Sequence, residues 1–142
     1  MFRVTRYVKS LLEPTLQGVG IGAAPPKPSG PVVIWNLIRR CNLTCKHCYT
    51  VSADIDFTGE LSTDEVFGVL DDLKRFRVPA LILSGGEPLM RPDIFEISRR
   101  TKELGIYTGL STNGTLIDES NIAQIAECGY DYVGISIDGL EA

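Results

Sequence analysis

The sequence predicts an α/β fold built on a parallel sheet. Three observations carry that prediction. Apolar, β-branched runs of strand length alternate with amphipathic segments of helical period. Turn residues punctuate each junction, and every polar motif falls at or just past the end of a predicted strand. Strict alternation of strand and helix implies right-handed crossovers into a parallel sheet, where ligands gather beyond the carboxyl ends of the strands. The 142 residues suffice for one domain with a core of its own. A net charge of -4 with no basic run leaves no footprint for nucleic acid. No apolar run approaches membrane-spanning length, so no membrane partner is expected. Residues 1–12 lack the apolar centre and cleavage site of a signal peptide, and the cysteines are expected to work in a reducing cytoplasm.

The elements follow in order. Phe2, Tyr7, Val8, Leu11 and Leu12 among charges predict a short amphipathic helix over residues 1–13, ended by Pro14. Gly18, Gly20, Gly22, Gly30, Pro25, Pro26, Pro28 and Pro31 predict an extended strap over residues 14–31 whose role is tethering, with a substrate-covering lid as the alternative. Residues 1–31 therefore precede a core domain over 32–142. Residues 32–38 (VVIWNLI) predict a first strand buried on both faces, with Trp35 in the core. Ser62 and Glu65 form a capping box, and Val66, Val69, Leu70 and Leu73 repeat at helical spacing as far as Arg77. Pro79 precludes continuation, and residues 80–84 are the second strand. Pro92 opens a helix through Leu104 with Ile94, Phe95 and Ile97 inward and Gly105 at its end. Residues 107–112 are the third strand. Asp118 caps a third helix, with Ile122, Ile125 and Ala126 inward, and residues 132–137 are the fourth strand.

Directly after the first strand, Cys41, Cys45 and Cys48 fall in a C-x3-C-x2-C array that uses three of the four cysteines. Three thiolates so close can surround one inorganic centre and leave a coordination position that this loop does not fill. His47 is badly placed for that position because it adjoins Cys48. A closed structural zinc site would need the distant Cys128, which otherwise reads as a small buried residue near a helix end. The repeated C-x2-C run of a ferredoxin is absent, and three clustered cysteines cannot pair off as disulfides. A 4Fe–4S cubane with one open iron is favoured over zinc. The second strand ends in Gly85-Gly86-Glu87-Pro88, the third in Ser111-Thr112-Asn113-Gly114, and the fourth carries Ser136 and Asp138-Gly139. Each could be a turn alone. Together, at successive strand ends, they mark a site. A lone histidine, already inside the cysteine loop, argues against a Ser/His/Asp arrangement. Arg39, Arg40 and Lys46 read as solvated charges, or as groups for an anionic substrate or an acidic electron donor.

The array C-x3-C-x-(aromatic)-C, with His47 in the aromatic slot, resembles the radical SAM superfamily, as does the order of the motifs behind it. The resemblance implies a partial TIM-like (β/α) barrel of six βα units, of which about four are present. It implies a 4Fe–4S cluster on Cys41, Cys45 and Cys48 with S-adenosyl-L-methionine on its open iron. Gly85, Gly86 and Glu87 would then meet the methionyl amino group. Ser111 and Asn113 would lie near its carboxylate and the ribose, Ser136 and Asp138 at the ribose, and the backbone around His47 near the adenine edge. Reductive cleavage to methionine and a 5′-deoxyadenosyl radical is the implied chemistry. Residues 30–40, 81–89 and 129–139 resemble the branch of that family in heme d1 and alternative heme biosynthesis. That branch implies a didecarboxysiroheme-type tetrapyrrole losing propionate side chains, and a reducing partner such as flavodoxin or ferredoxin. Family members are longer and carry an auxiliary cluster in a cysteine-rich C-terminal region. This chain is accordingly expected to be a truncated core that binds its cluster but turns over poorly alone. Peptide maturation by the same radical chemistry, or a non-catalytic iron–sulfur or zinc fragment, are the alternative readings.

Overall fold

The computed structural model describes residues 30–137. The expected N-terminal helix, the strap as far as residue 29, and Asp138 lie outside the described residues. Four strands, β1 (Val33–Ile38), β2 (Ala80–Gly85), β3 (Tyr107–Thr112) and β4 (Tyr132–Ile135), form one sheet in the order β1-β2-β3-β4. Every neighbouring pair is parallel. The crossovers carry helices α1 (Thr63–Arg75), α2 (Ile94–Glu103) and α3 (Ile122–Glu127). Sequential parallel strands with a helix in each crossover make a partial (β/α) barrel. Among the described residues no helix is long and apolar enough to cross a membrane.

Local chemistry sets the helix ends. Ser62 caps α1: its hydroxyl accepts the Glu65 N–H, while the Glu65 carboxylate accepts the Ser62 N–H at 2.8 Å. The helix stops at Arg75, two residues before the expected end, because Arg77 turns to a φ of 56° ahead of Pro79. Helix α2 starts at Ile94 rather than Pro92, with Asp93 at the N-cap position and its carboxylate engaged by Arg91 and Thr63. Asp118 does not cap α3. Its carboxylate accepts the Ser120 N–H and hydroxyl, and the helix begins only at Ile122. Ile122 is 51% exposed, so the expected inward stripe there reduces to Ile125.

The core lies between the helices and one face of the sheet. Leu81, Leu83 and Leu110 meet Val66, Leu70, Ile94 and Ile97, all essentially inaccessible, and Trp35 packs against this cluster as expected. The opposite face differs from expectation. Pairing sets Ile34 beside Ile82 and Asn36 beside Ser84, and Ile34 is 68% exposed. Strand β1 is therefore buried on one face only, because α1 and α2 cover just one side.

Beyond Asn36 the register steps: Asn36 faces Ser84 while Ile38 faces Gly85, so Leu37 is an extra residue, a β-bulge. The Leu37 carbonyl is held by Arg91 Nη1 at 3.1 Å. The same buried guanidinium donates to the Leu61 carbonyl at 2.9 Å and pairs with Asp93 at 2.7 Å. Arg91 thereby ties the bulge to the start of α1.

Candidate functional site

Strand β1 runs straight into the cysteine loop, which is closed at its base where Cys41 N–H donates to the Ala53 carbonyl at 3.1 Å. On the other side, Gly86 N–H donates to Ile38 O at 2.7 Å and Glu87 N–H to Arg40 O at 2.9 Å. These bonds carry the β1–β2 ladder past the strand ends, and they need glycine. A Cβ on Gly85 would sit 2.3 Å from Ile38 O, and one on Gly86 2.3 Å from Arg40 O. The close approach that the glycines permit is thus to this chain's own backbone.

A cavity of about 270 Å³ opens at the carboxyl ends of the strands. Cys41, Cys45, Cys48 and His47 form one wall. Gly85, Gly86, Ser111, Asn113 and Ser136 form the other. Residues from the ends of four strands, separated by nearly one hundred positions, meet there. Glu87 is the exception. It is fully buried and is not part of the cavity wall. One carboxylate oxygen accepts the Thr112 hydroxyl at 2.7 Å and the Leu89 N–H at 3.0 Å; the other accepts the Asn113 N–H at 2.8 Å. In this structure Glu87 braces the end of β2 to the end of β3, where a direct ligand contact was expected.

The thiols have graded surroundings. Cys41 is buried, Cys45 half-buried and Cys48 exposed. Cys41 Sγ accepts the Leu43 N–H at 3.4 Å. Cys48 Sγ lies 3.3 Å from the Thr50 hydroxyl and 3.5 Å from that of Ser52. Those hydroxyls, Thr50 foremost, hold the Cys48 thiol below its ordinary range. Among the described residues no three His, Cys, Asp or Glu side chains converge on a single metal ion. Cys128, the fourth ligand a zinc site would need, is buried against α2 with its thiol donating to Phe95 O at 3.7 Å. Three thiols spread along one wall of an open cavity fit a larger sulfur-bridged centre with one open position better than a closed single-ion site.

The flanking arginines are occupied. Arg40 pairs with Asp54 at 2.7 Å and Asp56 at 2.8 Å, and Arg39 stacks 4.3 Å from the Phe57 ring centre. The Arg40 charge is thus met by two carboxylates, whereas Arg39 lies over an uncharged ring. Sequence reasoning missed Asn42, Thr50, Ser52 and Thr115. Hydroxyls two and four residues past Cys48 are a signal for sulfur-facing donors; Thr115 carried none, because its partner Asn42 lies 73 positions away.

The model of the radical SAM superfamily matches residues 35–142. The chain belongs to the radical SAM superfamily. Membership implies an iron–sulfur cluster and S-adenosylmethionine binding. Among curated relatives, this radical SAM chain is 55% identical over all its 142 residues to the pre-heme d1 synthase of Dinoroseobacter shibae, of which it covers 34%. It is 48% identical over 114 residues to the Fe-coproporphyrin III synthase of Methanosarcina barkeri, covering 80% of this chain and 29% of that protein. The chain thus spans about a third of the length of these relatives. The crystal structure of BtrN in complex with AdoMet and 2-DOIA matches with a TM-score of 0.63 at 19% identity, over 81% of this chain and 48% of that one. That likeness bears on the fold alone.

Proposed function

We propose that this chain is the cofactor-binding core of a radical SAM enzyme of heme d1 or alternative heme biosynthesis. The observation that carries the reading is the single cavity shared by Cys41, Cys45 and Cys48 and by the ends of β2, β3 and β4. The three thiolates hold a 4Fe–4S cluster and leave one iron open. The backbone of Gly85 and Gly86, with Ser111, Asn113 and Ser136, lines the space for S-adenosylmethionine, and Asp138 follows on from Ser136. The backbone around His47 borders the adenine. When bound, the cluster supplies the electron that cleaves S-adenosylmethionine to methionine and a 5′-deoxyadenosyl radical, which takes hydrogen from substrate. The protein's part is to orient the two cofactors and to exclude water on the side covered by the cysteine loop.

The substrate is a didecarboxysiroheme-type tetrapyrrole that loses propionate side chains. Identity of 55% to a pre-heme d1 synthase along the whole chain supports this. Arg40, paired with Asp54 and Asp56, is the less available of the two flanking arginines for the propionates. A cytoplasmic flavodoxin or ferredoxin supplies electrons. The test is anaerobic reconstitution with iron and sulfide, reduction, and addition of S-adenosylmethionine. Formation of 5′-deoxyadenosine is expected. A chain that takes up zinc and no iron–sulfur cluster would overturn the reading, and a cluster that cleaves S-adenosylmethionine without consuming the tetrapyrrole in the presence of the remaining protein would overturn the substrate.

A further inference from the structure

Three polar side chains close a ring beside the cysteine loop. Asn42 Nδ2 donates to the Thr115 hydroxyl at 2.8 Å. That hydroxyl donates onward to Asn113 Oδ1 at 2.7 Å. Asn113 Nδ2 donates back to Asn42 Oδ1 at 2.9 Å. The Thr115 N–H also donates to Asn113 Oδ1, at 2.9 Å, and fixes which end of that amide is the acceptor. Every member is both donor and acceptor, so the ring has one self-consistent arrangement of protons. Neither Asn42 nor Thr115 belongs to the cavity wall.

The ring is anchored on one side and aimed on the other. The Asn113 N–H is held by the fully buried Glu87, so the ring is tied to the segments that follow β2 and β3. Asn42 is the residue next to Cys41, the buried one of the three thiols. Asn113 Nδ2, oriented by the ring, points an N–H toward Cys41 Sγ at 3.9 Å. We propose that the Asn42–Asn113–Thr115 ring is the positioning device of the cysteine loop: it fixes Cys41 relative to the end of β3 and presents an amide donor to its sulfur. The inference rests on the cluster reading given above and adds to it two residues that touch no cofactor. Outer partners of this kind commonly govern retention of a metal centre, and hydrogen bonds to cluster sulfurs raise its reduction potential.

The roles of the Thr115 hydroxyl make the test selective, because serine can fill both and valine neither. Thr115 is exposed, so the near-isosteric Thr115→Val should leave the thermal midpoint of the cluster-free chain unchanged. The 142-residue chain and its variants are reconstituted with iron and sulfide. Cluster loss to a chelator is followed by absorbance, and the midpoint potential by redox titration with electron paramagnetic resonance. Thr115→Val is expected to lose its cluster roughly tenfold faster and to show a more negative potential. Thr115→Ser should restore both, and Asn42→Ala should behave as Thr115→Val does, which covers the case of one variant failing to fold. Wild-type retention and potential in Thr115→Val and Asn42→Ala, or a Thr115→Ser as impaired as Thr115→Val, would overturn the proposal while leaving the cluster reading intact. A wild-type chain that takes no cluster overturns both.

Discussion

Glu87 shows how much one buried side chain can hold. Its carboxylate accepts the Thr112 hydroxyl and the N–H groups of Leu89 and Asn113 with no exposure to water. Removing an acceptor strands its donors, at about 1–3 kcal/mol for each unsatisfied group. Glu87→Ala should therefore lower the stability of the cluster-free chain by about 3 kcal/mol or more, measured by urea denaturation. Unchanged stability would mean that Glu87 serves only a ligand. Asp93 behaves differently. Burial pushes its carboxyl up, but hydrogen bonds from Arg91 and Thr63, together with the Arg91 charge, outweigh that and hold it below the usual carboxylate range. A carboxyl that is more acidic folded than unfolded stabilises the fold above its unfolded value and loses that contribution as pH falls through the folded one. Asp93→Asn should cost about 3 kcal/mol at neutral pH, since it breaks a largely buried pair. The gap between the two proteins should close as both are taken below about pH 4, in urea midpoints measured against pH.

Among the elements, α1 was the most legible in sequence and α3 the least. The capping box at Ser62 and Glu65 acts within four residues, so nothing distant could alter it. At Asp118 a local competitor won: the Ser120 N–H and hydroxyl captured the carboxylate before a helix could use it. In β1, the apolar run predicts a doubly covered strand, whereas its exposure alternates along most of its length. The run itself could not say that only one face would receive helices. Helix α1 also carries a removable weakness. Gly68 lies exposed within it, and a Cβ there would meet nothing within 4 Å. Gly68→Ala should stabilise the chain by roughly 0.5–1 kcal/mol, seen as a raised thermal midpoint with cluster content unchanged. A fall in the midpoint would show that the position is not free helix surface.

For the whole molecule, the site was legible because the chain returns to the same sheet end after every strand. Sequence order alone then brings Cys41, Gly86, Ser111 and Ser136 together. What it could not supply were side-chain pairings across the loops, such as Thr115 with Asn42 or Arg40 with Asp54 and Asp56. Among the described residues β4 has no strand beyond it, and Val133, Ile135 and Ile137 are 39%, 54% and 73% exposed. An open apolar edge of this kind associates. The 142-residue chain should dimerise with rising concentration in sedimentation velocity, and Ile137→Lys should weaken that by about tenfold. The bulge in β1 has a consequence of another sort. Side chains alternate sides along a strand, so the extra Leu37 reverses the parity of all that follows it. Were the ladder to run on without the bulge, with Leu37 opposite Gly85, C-x3-C-x2-C would stay letter-perfect, yet Arg40 would stand where Cys41 now points. The motif counts distances within the loop; only the offset in the strand before it decides which way the loop faces.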